Sequence, residues 1–105
     1  MLDKTKALAD LEMAEDEYDE MLQAFVELAD EQIQGLESAL ASGNDTEARE
    51  LAHSLKGAAG NLRLDDCLAI ARAIELALKE QRKDRFREQL DALVAAVDEV
   101  RESGG

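Results

Sequence analysis

The sequence predicts an all-α fold, an antiparallel up-down-up-down four-helix bundle with a short N-terminal capping helix. Three observations predict it. The 105 residues contain no proline. Apolar residues make up 46% and aromatics only 3%, so the core must be built from Leu, Ala, Ile and Val. Those apolar residues recur at steps of three and four through four long segments. One domain is expected, spanning residues 1–105, because a chain this long supports one modest core.

The elements follow in order. Residues 3–14 are mildly amphipathic, with Leu8 and Leu11 three apart, and read as the capping helix. The first bundle helix is expected over 16–42, with Asp16 as N-cap and Asp19 three residues on. Tyr18, Leu22, Phe25, Ala29, Ile33, Leu36 and Leu40 form its apolar stripe, and Ser42-Gly43-Asn44 ends it. Asn44-x-x-Glu47 is a capping-box variant opening the second bundle helix, 45–63, whose stripe is Ala48, Leu51, Leu55, Ala58 and Leu62. Leu64-Asp65-Asp66 breaks that pattern and caps the third, 65–81, carrying Leu68, Ala71, Ile74 and Leu78. After the polar turn Gln81-Arg82-Lys83-Asp84, the last helix runs over 84–102 with Phe86, Leu90, Leu93, Val97 and Val100. Short turns between long helices place neighbours antiparallel.

Charge narrows the function. Twenty-five acidic and 12 basic residues give a net charge of -13. Nucleic acid and anionic membrane both repel such a surface. Partners with a basic face are favoured, although helical proteins are rich in glutamate in any case. The lone Cys67 lies in an apolar stretch and reads as a buried structural thiol in a reducing, cytoplasmic setting. Met1-Leu2-Asp3-Lys4 lacks the apolar core of a signal peptide, and no apolar run approaches the ~20 residues of a membrane span. Ser103-Gly104-Gly105 reads as a frayed end.

The chemistry converges on the single histidine, His53. With about 100° per residue, Leu51, Leu55, Ala58 and Leu62 fall roughly 140–200° away from it. Arg49, Lys56, Gly57 and Gly60 fall within about 60°. The expected helix therefore has an apolar core face and an opposite face bearing the histidine, two cations and two glycines. A histidine on a polar face is usually inert. The glycines alter that reading, because each mid-helix glycine costs about 1 kcal/mol relative to alanine. Clearance for an approaching protein surface would explain them; tight helix packing is the plainer alternative. Lys56 and Arg49 form a small positive island suited to a phosphoryl group, or they are ordinary solvated charges. A neutral imidazole is a nucleophile near pH 7 and can form a phosphohistidine.

His53-Ser54-Leu55-Lys56-Gly57-Ala58-Ala59-Gly60-Asn61 resembles the signature of histidine phosphotransfer domains, roughly His-x-Leu-Lys-Gly followed by small residues. The resemblance extends through the bundle layout over residues 16–100. It implies that His53 is the phosphoacceptor, modified on Nε2 and exchanging the group with the aspartate of a response-regulator receiver domain. It places Lys56 near the phosphate, lets Gly57 admit the receiver, and has Gly60 extend the strip of small residues. A polar side chain of the third bundle helix holds the imidazole in such domains, and Glu75 falls at about the right place. The implied protein is a phosphocarrier of a two-component phosphorelay, not an enzyme with its own ATP site. It binds no cofactor itself, and Mg2+ is expected on the partner receiver. A hybrid sensor kinase is a further implied partner. The bundle needs no second chain, so a monomer is expected.

Three other readings compete. Glu50-x-x-His53 is the step used by di-iron bundles, but those need two such units facing inward. An acidic interaction module would explain the charge but not the pairing of histidine with lysine and glycine. A self-phosphorylating kinase would need a Gly-rich nucleotide site, which the sequence lacks. The phosphoacceptor module of a larger chemotaxis-type kinase remains compatible with every residue named above.

Overall fold

Five helices and the turns between them account for residues 2–103, which the computed structural model describes: α1 (Lys4–Leu11), α2 (Glu15–Ser42), α3 (Asp45–Asn61), α4 (Asp65–Lys79) and α5 (Phe86–Ser103). Met1, Gly104 and Gly105 lie outside the described residues, and Ser103, read above with the two glycines as a frayed end, is instead the last residue of α5. Helices α2 to α5 close a ring in which α2 meets α3, α3 meets α4, α4 meets α5 and α5 returns to α2. Tyr18 near the start of α2 bonds Leu62 beyond the end of α3, while Gln32 later in α2 meets Ser54 earlier in α3. Neighbours are therefore antiparallel, and the fold is the four-helix bundle with a short leading helix.

Local chemistry sets the boundaries. Helix α1 stops at Leu11 because Glu12 takes a left-handed conformation (φ 53°), and its amide and that of Met13 close back onto Ala9 and Leu8. Helix α2 starts earlier than Asp16. Its N-cap is Ala14, and the Glu17 carboxylate accepts the Ala14 amide at 3.4 Å. Asp16 joins the acidic first turn, and Asp19 instead pairs with Lys4 of α1 at 2.6 Å, holding that helix on the bundle. Gly43 ends α2 at φ 74°, a conformation cheap only for glycine. Asn44 caps α3, its side-chain oxygen accepting the Glu47 amide at 3.2 Å.

Helix α3 ends at Asn61, with Arg63 left-handed at φ 61°. Leu64 occupies the next N-cap without a side-chain bond. Asp65 and Asp66 are not caps: they sit in the first turn of α4, where carboxylates complement the helix dipole. Helix α4 ends at Lys79, before the left-handed Gln81 (φ 59°), and residues 82–85 form the turn before α5.

The core contains the expected stripes of α2 and α5, with Leu40 only half-buried. Helix α4 buries Cys67, Ala71, Ile74, Ala77 and Leu78, leaving Leu68 at the edge. Burial raises the Cys67 thiol to about 11, which keeps it protonated and inert.

The register of α3 differs from the sequence expectation. Its fully buried residues are Ala48, Ala52, Leu55 and Ala59, whereas Leu51 and Ala58 are half-buried. The core face is thus rotated by roughly 40–50° from the stripe of leucines. Gly35 of α2 supplies the reason. A Cβ there would stand 2.9 Å from Leu51 Cδ1, so Leu51 fills the notch left by the missing side chain. The alanine face then turns inward and lets the neighbouring helices approach closely.

Candidate functional site

The rotation of α3 positions His53. Had Leu51 and Ala58 lain at the centre of the core, the imidazole would point straight outward. With Ala52 and Ala59 buried instead, the outermost position passes to Gly57, and His53 leans toward α4. A Cβ added at Gly57 would meet nothing within 4 Å. The side chain of His53 remains 68% exposed.

The lean brings Nδ1 of His53 to 2.8 Å from Oε2 of Glu75 on α4. The other oxygen, Oε1, accepts Nζ of Lys56 at 2.6 Å. One carboxylate therefore bridges two residues that stand a turn apart on α3. Lys56 is the main cause that holds the Glu75 carboxyl below the usual carboxylate range; burial opposes this and His53 assists it. An ionised carboxylate only accepts hydrogen bonds, so Nδ1 must carry the ring proton. In the neutral ring the lone pair then resides on Nε2.

Of the residues singled out in the sequence, the structure assembles His53, Lys56 and Glu75 into one unit. Arg49 lies beside them, exposed, and makes no ion pair among the described residues. Gly57 and Gly60, read together as a clearance strip, separate. Gly57 faces open space, while Gly60 is half-buried at the α3–α4 seam, where a Cβ would make ordinary contact with Leu68 at 3.8 Å. Gly60 therefore adjoins α4 and does not belong to the bare surface around the histidine.

Two features were missed. Gln32 of α2 is buried and donates to Ser54 Oγ at 2.9 Å, fixing the side of α3 away from α4 next to the histidine. Only a mid-helix polar residue in an apolar stripe signalled it. The second is a groove of about 580 Å³ between α3 and α4, with His53 in one wall. Thr46, Arg49, Glu50 and Lys56 line it from α3; Arg72, Glu75, Leu76 and Lys79 line it from α4. Arg72 and Lys79 are seven residues apart, a spacing that puts both on one helix face. Among the described residues, no three of His, Cys, Asp and Glu converge as metal ligands. No helix of the described chain is long and apolar enough to cross a membrane.

A helical bundle that displays one oriented imidazole beside a lysine defines a class, that of histidine-bearing carrier bundles. Comparison with known proteins supplies the family. The model of the Hpt domain matches residues 20–103, and the chain belongs to that family. Its fold is similar to the crystal structure of histidine-containing phosphotransfer protein B from Pseudomonas aeruginosa, with a TM-score of 0.84 and 27% identity. That match covers 94% of this chain and 87% of the other. The chain is also 32% identical over 104 positions to the chemotaxis protein CheA of Halobacterium salinarum, a match covering 82% of this chain. It spans only 16% of that longer protein. Histidine phosphotransfer in a phosphorelay is the activity of the family, a carrier function.

Proposed function

We infer that His53 is the phosphoacceptor and that it exchanges its phosphoryl group with the aspartate of response-regulator receiver domains. The observation that carries this reading is the bond from Nδ1–H to Glu75, which orients a largely exposed ring and leaves Nε2 as its nucleophile. In the forward step the Nε2 lone pair attacks the phosphorus of the partner's aspartyl phosphate. The Nε2–P bond forms, the P–O bond to the aspartate breaks, and the aspartate leaves as a free carboxylate. The proton on Nδ1 does not move. The phosphorylated ring is cationic while Nδ1 keeps that proton, and the Glu75 carboxylate beside it offsets the charge. Lys56 Nζ, a turn from the ring, is placed to turn from Glu75 toward the phosphoryl oxygens. Gly57 leaves room for the partner's surface.

On this reading the chain has no ATP site of its own and binds no cofactor. Positioning and charge neutralisation at the phosphorus, including Mg2+, come from the partner. Incubation with a phosphorylated receiver domain tests it. Label on this chain that is acid-labile and base-stable is expected, and its absence overturns the assignment.

The similarity to CheA favours a second reading, in which this bundle is the phosphoacceptor module of a chemotaxis-type kinase. A separate catalytic domain would then donate from ATP to the same Nε2. Labelling of His53 from ATP only after a kinase domain is added separates the two.

A further inference from the structure

The groove between α3 and α4 is unusual for this molecule. It gathers four cations, Arg49, Lys56, Arg72 and Lys79, against two carboxylates, in a chain of net charge -13. Lys56 is engaged by Glu75. Arg49, Arg72 and Lys79 are exposed and make no ion pair among the described residues. Leu76 lies between Arg72 and Lys79 and is 49% exposed, an apolar floor for a contact.

We propose that this groove is an electrostatic docking site for the acidic rim around the partner's phosphorylatable aspartate, contacted by Arg49, Arg72, Lys79 and the Leu76 side chain. The proposal rests on the phosphocarrier reading above and names the flank that recognises the partner. A partner that holds Mg2+ beside an aspartate must present clustered carboxylates. Most of this chain's surface repels such a face. The groove attracts it, and it borders the imidazole that must meet the aspartate. Charges placed this way raise encounter rates by ~10–1,000-fold at low ionic strength and fix orientation. Helix α2 differs: it carries the exposed apolar side chains Met21 and Leu28.

The test compares wild type with Arg72→Glu/Lys79→Glu and with the conservative Arg72→Lys. Both positions are exposed, and circular dichroism checks that the variants fold. The probe is a phosphorylated receiver domain that exchanges with wild type, and the readout is the second-order transfer rate at low and high salt. Phosphoramidate, a small donor that needs no docking, labels His53 in parallel. The charge-reversed variant is expected to transfer ~10–100-fold more slowly at low salt and to converge on wild type as salt rises. Arg72→Lys should retain most of the rate. A receiver with a rim carboxylate changed to lysine should recover part of the loss. Equal receiver rates, with phosphoramidate labelling intact, overturn the docking site and leave the carrier reading standing. So does a defect confined to transfer from an ATP-loaded kinase, which would assign the groove to nucleotide phosphates. Failure of phosphoramidate to label wild type removes the carrier reading itself, and the docking proposal with it.

Discussion

Two open grooves of the bundle use their cations in opposite ways. Between α2 and α5, Arg101 bonds Asp30 at 2.9 Å and Arg87 bonds Glu37 at 3.2 Å, each joining one helix to the other. Between α3 and α4, the carboxylate of Glu75 is bridged by His53 and Lys56, and three further cations are left without a partner in the described chain. On the first seam, charge is neutralised within the fold. On the second, it is available to something outside. A cation that serves stability ought to be paired; one kept for recognition ought not to be. The histidine lies on the second seam.

The contrast can be broken or sharpened by substitution. The largest expected effect is at His53. Changing His53→Gln should abolish phosphorylation and shift stability by less than ~0.5 kcal/mol, because the side chain is exposed. Labelling with a phosphorylated receiver and a urea melt check both halves; comparable loss of folding would place the imidazole in a structural role. Next is Gly57→Leu. The new side chain enters open space in the free protein, so the helix should gain roughly 0.5–1 kcal/mol. Transfer should fall at least ~10-fold as the partner is pushed away, while phosphoramidate labelling persists. Normal receiver transfer in this variant would remove the clearance argument.

Glu75→Gln should have an intermediate effect. The amide oxygen can still accept from Nδ1, but the charge that holds Lys56 and offsets the phosphorylated ring is lost. A transfer rate ~3–10-fold lower is expected, measured with the same receiver. The pH dependence follows from the same carboxylate. Its folded pKa is depressed, so the stability it contributes is present above the ordinary carboxylate range and is lost as pH falls through the lower folded value. Carbon NMR of the Glu75 carboxyl should show it ionised when most other glutamates have protonated. Smallest is Arg101→Ala on the other seam. It should cost little stability, as exposed ion pairs do, and leave transfer unchanged at every salt concentration. A transfer defect there would erase the distinction between the seams.

The helices were readable from sequence because steps of three and four leave little choice of secondary structure, and Gly43 and Asn44 mark one boundary by their own chemistry. The register of α3 was not. Leucines 51 and 55 and alanines 48, 52 and 59 are all apolar, so periodicity alone admits two faces. The choice is made by Gly35, 16 positions before Leu51, through a contact that no local pattern contains. The start of α2 was misplaced for a related reason. Asp16 is a good cap in isolation, but Glu17 folds back onto Ala14 and Asp19 is drawn to Lys4. At the site, His53, Lys56 and Gly57 stood out by spacing. Glu75 came through family resemblance, since its reach to the ring depends on how two helices are aligned. Arg72 and Lys79 were visible only as two charges seven apart, because nothing local says which face of α4 meets α3.

The hydroxyl of Tyr18 donates to the Leu62 carbonyl at 2.6 Å, joining the start of α2 to the end of α3 inside the core. It is the only tyrosine, and the chain has no tryptophan, so near-ultraviolet absorbance and emission are dominated by one phenol in one environment. Nine residues of helix, about 13 Å, separate that carbonyl from the imidazole. The molecule therefore carries an optical probe of its own integrity, remote from the imidazole. Melting of the bundle can be followed in the same cuvette in which the phosphate is counted.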